Sequence, residues 1–304
     1  MDTSVKLGEL TLQNPVVPAS GTFGFGHEMA KWYDLNRLGA VALKGTTREA
    51  RFGNPTPRVA ECEAGLLNAV GLQNPGVEAV VREELPRLRA VYSGPVIANV
   101  CGFSAEEYVE VARRFDEAGA DILEINVSCP NVRHGGLAFG ASPEAAAAIT
   151  AAVKAAVKKP VYMKLSPNAA DIAAVARACE EAGADGLTLI NTLLGMRVNP
   201  RTGRPLVSTV TSGFSGPAIK PVALRMVFEV CRAVKIPVVG VGGIASADDL
   251  LEFLSAGASA VQIGAQNLVD PYACLRVVEE LPKRMEEYGI RDLKSIIGRT
   301  GNGQ

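Results

Sequence analysis

The residues with the greatest chemical capacity lie just beyond short apolar runs. Cys129 stands in NVSCPNVRHGG, before Pro130 in a glycine-rich segment that favours an exposed loop over buried packing. A free thiol titrates near pH 8.5, so useful thiolate at neutral pH needs a cation close by. Lys44, Lys164, Arg133 and His134 are the candidates to supply it. The two histidines, His27 and His134, have no partner at metal-site or triad spacing. With no histidine base in view, proton transfer by Cys129 is the more attractive reading. Gly135, Gly136 and Gly140 would let its loop open and close over a substrate.

Lys164, in VYMKLSPN, ends an otherwise apolar run. A lysine so placed could form a Schiff base with a carbonyl substrate or stand as a fixed cation against developing negative charge. A salt-bridged structural lysine is the plainer alternative. The other runs end in Ser20, in Lys44-Gly45-Thr46, in Asn99, in Asn126, in Asn191-Thr192, in Gly242-Gly243 and in Gly264. Each alone is more often a turn former than a ligand. Together they argue for a site, because crowding two lysines at neighbouring run ends is costly without an anion between them. GVGGIASADD at 240–249 and IGA at 263–265 suit a phosphate held by backbone N–H groups and a helix N-terminus. The Gly240-x-Gly242-x-x-Ala245 spacing also fits a relaxed dinucleotide fingerprint, but no acidic residue follows where a ribose would need one. A phosphate site is favoured over bound NAD.

The elements that must position these groups share one grammar. PVVPASG, AVALKGTT, PVIANV, ILEINVS, VYMKLS, GLTLINT, PVVGVGGI and AVQIGA are near-continuous apolar runs, the pattern of strands covered on both faces of a parallel sheet. Amphipathic stretches such as 104–120 and 168–184 separate them, the first opening with Ser104 and Glu107 at capping-box spacing. The joints AGADILEIN, AGADGLTLIN and AGASAVQIGA repeat a glycine that closes a helix directly before a strand. Eight such units predict a (β/α)8 barrel, whose active site lies at the C-terminal strand ends. An open doubly wound sheet is the rival arrangement. VKLGELTLQNP reads as an N-terminal hairpin under the barrel, and 48–76 and 191–221 as two long insertions of the functional kind. With no linker or low-complexity tract, residues 1–304 are expected to form one domain.

Thirty-one basic against 32 acidic residues leave no electrostatic footprint for nucleic acid or a membrane surface. The polar N-terminus and the absence of an apolar run near 18 to 20 residues predict a soluble, cytoplasmic chain. Six cysteines, at 62, 101, 129, 179, 231 and 274, show no metal-ligand spacing, so neither a metal site nor an iron–sulfur cluster is expected within the chain. Cys179 and Cys231 fall in helical apolar patterns and are expected in the core.

Read together, NPVVPASGTFG, LKGTT, RFGNPTPRV, NAVGLQNPG, NVSCPN, MKLSPN, LINT, SGPAIKP and VGGI occur in the order seen in dihydroorotate dehydrogenases, and the chain resembles that family over nearly its whole length. The resemblance implies a (β/α)8 barrel carrying one FMN. Gly216, Gly242, Gly243, Gly264 and Ala265 would hold the phosphate end; Ser20, Lys44, Gly45, Asn99, Asn126, Lys164 and Ile190 would line the rest. Lys164 would face the N1/O2 edge of the flavin, which weakens the Schiff-base reading. Dihydroorotate would be held by Lys44, by Asn68-Ala69-Val70-Gly71-Leu72, and by Asn126, Asn191 and Thr192. Cys129 would remove the C5 proton while hydride leaves C6 for flavin N5.

One branch of the family uses serine as base and carries an N-terminal membrane helix; this chain resembles the cysteine branches. Of these, RFGNPTPRV and LLNAVGLQNPG are more similar to the NAD-linked one. That similarity implies a homodimer core within a heterotetramer, joined by an electron-transfer subunit with FAD and a [2Fe-2S] cluster. Such a relay would explain why this chain has no cysteine cluster and no convincing NAD fingerprint of its own. A fumarate-linked homodimeric dihydroorotate dehydrogenase, and a non-redox phosphate-binding barrel lyase using Lys164, are the alternatives.

Overall fold

The computed structural model describes residues 1–128, 140 and 142–301. Eight parallel strands form one sheet: β1 (Val16–Pro18), β2 (Val41–Ala42), β3 (Val96–Val100), β4 (Ile122–Asn126), β5 (Val161–Lys164), β6 (Gly186–Leu189), β7 (Val238–Val241) and β8 (Ala260–Ile263). Their order runs β1-β8-β7-β6-β5-β4-β3-β2, so each strand lies beside its neighbour in the chain and the last returns to the first. Between β1 and β2 the Gly39 N–H donates to the Val16 carbonyl at 3.0 Å, bringing the sheet nearly into a closed barrel. Every residue of β3, β4 and β5 is buried, because side chains on one face fill the barrel while those on the other meet helices.

Those helices are α1 (77–89, with a widened turn at Val80–Glu84), α2 (Ala105–Glu117), α3 (Pro143–Lys154), α4 (Ile172–Glu181), α5 (Lys220–Ala233), α6 (Ala247–Ala256) and α7 (Ala273–Glu287). In α2 the buried residues are Tyr108, Val111, Ala112 and Phe115, a stripe at helical spacing that faces the sheet. Ser104 accepts the Glu107 N–H at 3.3 Å, but the Glu107 carboxylate accepts from the Phe103 N–H rather than from that of Ser104. The reciprocal box forms instead at Ser246 and Asp249.

The repeated joints have a common physical cause. Past α2, Gly119 at φ 83° donates to Asp116 and Ala120 donates back to Phe115; Gly183 at φ 95° and Ala184 do the same to Glu180 and Cys179. This paired closure needs a residue at positive φ, which glycine adopts without a Cβ penalty. The aspartates that follow then start the neighbouring strands. Asp121 accepts the Val96 N–H at 2.8 Å, and Asp185 accepts that of Val161 at 2.7 Å.

The hairpin at the N-terminus pairs Val5–Leu7 with Leu10–Leu12 and touches β8. Both insertions contain strands. Val59–Cys62, Gly65–Asn68, Leu193–Gly195 and Ser212–Ser215 assemble into a four-stranded antiparallel sheet in which Asn68 lies opposite Gly213. Its strands are three or four residues long, too short to show a period, and the Asn68–Gly213 pairing that joins the two insertions spans 145 positions. Among the described residues no helix is long and apolar enough to cross a membrane.

Candidate active site

The C-terminal ends of the barrel strands and the four-stranded sheet enclose a cavity of about 300 Å³. Ser20, Lys44 and Gly45 reach it from β1 and β2, and Asn99, Asn126 and Lys164 from β3, β4 and β5. Ile190, Asn191 and Thr192 follow β6. Gly242 and Gly243 follow β7, Gly264 and Ala265 follow β8, and Gly216 precedes α5. Asn68, Val70, Gly71 and Leu72 close it from the first insertion. Ala69 lies behind that wall, buried with Leu67 and Val207. Cys129 falls outside the described residues, as do Arg133, His134, Gly135 and Gly136; Gly140 is buried against Val127.

The wall segment is held by its neighbours. Asn54 donates from its backbone to the Val70 carbonyl and from its side chain to that of Ala69, each at 3.0 Å. The Asn74 amide donates to the Leu72 carbonyl at 2.6 Å. Leu72 sits at φ 59°, a strained conformation for a branched side chain that persists only where the surroundings impose it.

Beneath the cavity a polar network crosses the barrel interior. Lys164 Nζ donates to Glu124 Oε2 at 3.3 Å and to Gln262 Oε1 at 3.1 Å. Gln262 Nε2 donates to Glu124 Oε1 at 2.6 Å, and Asn99 Nδ2 to Glu124 Oε2 at 2.5 Å. Glu124, Gln262 and Asn99 are fully buried and Lys164 is 4% exposed. From Asn99 a chain of amides continues upward. Asn126 Nδ2 donates to Asn99 Oδ1 at 3.3 Å, and Asn191 Nδ2 to Asn126 Oδ1 at 3.3 Å and Ser128 Oγ at 2.8 Å. Ser128 Oγ in turn donates to Asn126 Oδ1 at 3.0 Å, and the Thr192 N–H to Asn191 Oδ1 at 2.8 Å. Tyr108 supports this chain from outside the barrel, its hydroxyl donating to the Asn126 carbonyl at 2.8 Å.

Glu124 and Gln262 went unnoticed in the sequence, although polar side chains at inward positions of ILEIN and AVQI are the signal that would have found them. Their presence changes one inference. Lys164 already has an anion beside it, so two lysines near one cavity do not by themselves require an anionic ligand between them.

At the other end of the cavity, Gly243 has φ 73°, and a Cβ there would lie 2.9 Å from the Lys220 nitrogen and 3.0 Å from the Gly216 oxygen. Only a residue without a side chain lets these backbone turns come together at the start of Pro217–Ile219 and α5. Lys220 Nζ is committed elsewhere, donating to Asp249 at 2.5 Å and Glu252 at 3.1 Å. Burial works against the Lys220 charge, yet these carboxylates hold its pKa above the ordinary lysine value. Burial likewise opposes the Asp249 charge, but Lys220 and the Ala245 N–H carry its pKa below the usual carboxylate value. An anion at this end would therefore be met by backbone N–H groups rather than by the Lys220 ammonium.

Burial pushes the Cys179 thiol up to about 11 and Cys231 to about 12; neither is poised to react. His27 finds a partner that sequence spacing did not show. Its Nε2 lies 2.6 Å from Glu84 Oε2, with Glu28 at 3.8 Å, tying the segment after β1 to α1.

A sequence model of the dihydroorotate dehydrogenase family matches residues 3–285. The chain is 57% identical over 303 residues to the protein named dihydroorotate dehydrogenase B (NAD(+)), catalytic subunit, of Anoxybacillus flavithermus, covering 99% of this chain and 97% of that one. Proteins of the same name from Geobacillus kaustophilus and Enterococcus faecalis are 54% and 51% identical. They cover 98% and 99% of this chain and 95% and 97% of their own lengths. With the barrel and its strand-end cavity inside the matched residues, the chain belongs to the dihydroorotate dehydrogenase family.

Proposed function

We propose that this protein oxidises (S)-dihydroorotate to orotate, the redox step of pyrimidine biosynthesis, with one FMN held in the strand-end cavity. The observation that carries the reading is the convergence of Lys44, Lys164 and four asparagine amides on one cavity whose far end is a side-chain-free backbone cradle. That cradle suits a phosphate, because Gly243 and Gly216 bring main chain together at a helix start. Gly216, Gly242, Gly243, Gly264 and Ala265 would hold the phosphate end of FMN. Ser20, Lys44, Gly45, Asn99, Asn126, Lys164 and Ile190 would hold the remainder. When bound, FMN supplies an acceptor for the hydride from substrate C6.

The chain's own groups supply the rest. The Lys164 ammonium has two of its hydrogen bonds directed at Glu124 and Gln262, which leaves one N–H donor for the cavity it lines. It is a fixed cation, placed before any negative charge develops, so little reorganisation accompanies electron uptake. Asn126, Asn191 and Thr192, with Lys44 and the 68–72 segment, offer amide donors, amide acceptors and one cation to a planar ring bearing amide and carboxylate groups. Cys129 is assigned as the base that takes the C5 proton; the assignment rests on the family resemblance and on its nearness in sequence to Asn126, which lines the cavity.

The relatives are named as NAD-linked catalytic subunits, which favours the relay reading over the fumarate-linked one. Electrons would leave through a partner subunit carrying FAD and a [2Fe-2S] cluster, on a homodimeric core of this chain. The 1–304 chain is read as one FMN-binding domain. The purified protein should be yellow, and anaerobic dihydroorotate should bleach it. A colourless protein, or a yellow one that dihydroorotate leaves unchanged, refutes the proposed activity.

A further inference from the structure

We propose that Glu124 is a positioning residue of this site, acting from beneath the cavity on both the cation that faces the cofactor and the amides that face the substrate; the inference rests on the FMN reading above. Glu124 does not line the cavity, and neither does Gln262. Both are fully buried, and every contact from Glu124 toward the site passes through Lys164 or Asn99.

Stability alone does not call for such a group. Apolar residues of similar volume in place of a buried ion pair are often neutral or stabilising, and barrel interiors are ordinarily filled by branched aliphatic side chains. The arrangement has two consequences that an apolar filling would lack. The first is electrostatic: a carboxylate 3.3 Å from Lys164 Nζ offsets part of the positive charge felt in the cavity, and so sets how strongly electrons are drawn onto a flavin there.

The second is directional. An ionised carboxylate can only accept, so Asn99 must turn its NH2 group toward Glu124. Its oxygen then faces upward and accepts from Asn126, whose own oxygen accepts from Asn191 and Ser128. The acceptor-only group at the bottom thereby fixes Asn99, in the sense that matches Asn126 and Asn191, whose oxygens also accept from the Ser128 and Thr192 N–H groups. A neutral amide at position 124 would let Asn99 reverse, which would set its NH2 group against that of Asn126 and break the bond between them.

The test exploits the geometry of Gln262. Glu124→Gln alone places an NH2 group against the Gln262 NH2 and removes the charge. The exchange Glu124→Gln with Gln262→Glu moves the carboxylate to the other strand and preserves every hydrogen bond among residues 99, 124, 164 and 262. FMN midpoint potential and orotate affinity, the latter from perturbation of the oxidised flavin spectrum, are measured on the purified holoenzyme without turnover.

Glu124→Gln should raise the potential by about 30 mV or more, the equivalent of a tenfold change in the ratio of reduced to oxidised flavin for a two-electron couple. It should also weaken orotate binding, and the exchange variant should return both values to those of the unaltered protein. An FMN-loaded Glu124→Gln protein with unchanged potential and orotate affinity overturns the proposal, as does an exchange variant that stays displaced. Should Glu124→Gln not fold or not hold FMN, the exchange variant alone decides by the same two values. If the unaltered protein binds no FMN, the flavin reading fails instead.

Discussion

Replacing Lys164 by methionine should destabilise the protein far more than replacing Lys164 and Glu124 together by methionine and glutamine. Lys164 Nζ stands 3.3 Å from Glu124 Oε2, with side chains 6% and 0% exposed. At an effective dielectric of about 20, two charges at that separation attract by about 5 kcal/mol, and desolvation of both consumes much of this. Breaking such a pair from one side costs about 3–5 kcal/mol because the survivor stays buried and uncompensated. Asn99 and Gln262 continue to donate to Glu124, which places Lys164→Met near the low end, about 3 kcal/mol. In the double variant no charge is stranded. Gln262, released from Lys164, can turn its oxygen to the new amide, so the loss should be only about 1 kcal/mol, the scale of one net hydrogen bond. Urea unfolding of the FMN-free protein, followed by far-ultraviolet circular dichroism, measures both without ligand linkage. A double variant that loses as much as its two single variants combined would show that the pair is not energetically coupled, and the account of the barrel floor would fall.

Gly243→Ala should weaken FMN binding about tenfold or more, since a Cβ at φ 73° adds about 1–2 kcal/mol of backbone strain to a contact with Gly216 and Lys220; quenching of flavin fluorescence on titration reads it. Cys129→Ala should leave FMN bound while slowing its reduction by dihydroorotate about 10²–10⁴-fold, the span lost with a general base, as stopped-flow bleaching would show. Tyr108→Phe removes the hydroxyl under the Asn126 carbonyl and should lower unfolding free energy by about 1 kcal/mol, measured by urea titration. Asp249→Asn should lower thermal stability at neutral pH and make it less dependent on pH at both extremes. The depressed Asp249 pKa contributes stability that is present above the ordinary value of 3.8 and lost as pH falls through the folded value. The raised Lys220 pKa contributes stability that is present below 10.5 and lost as pH rises through its own. Melting temperatures measured across pH test both arms.

The barrel was legible because its signals are local. A buried strand such as VIANV or VYMK declares itself by an unbroken apolar run, and AGAD joints declare the helix closure and the strand start within four residues. The polar residues and glycines that end the runs were visible for the same reason, and the described ones line one cavity except Thr46; of the residues that only the family resemblance suggested, Asn68, Val70, Gly71, Leu72, Ile190 and Gly216 line it too, while Ala69 lies behind its wall. The four-stranded sheet was not legible: Asn68 and Gly213 are partners only because the barrel brings two insertions over one mouth.

Residue types and spacing alone determined that this chain would wind strand and helix alternately and gather its polar groups at one end of the strands. The side-chain period and the glycine closures act within a single turn or strand, so each can be read from a few adjacent letters. Only the tertiary structure decided what those groups do to one another. Glu124, Lys164 and Gln262 come from three strands that meet across the barrel axis, and a charge takes its energy from whichever group lies within a few ångströms, however distant in the chain.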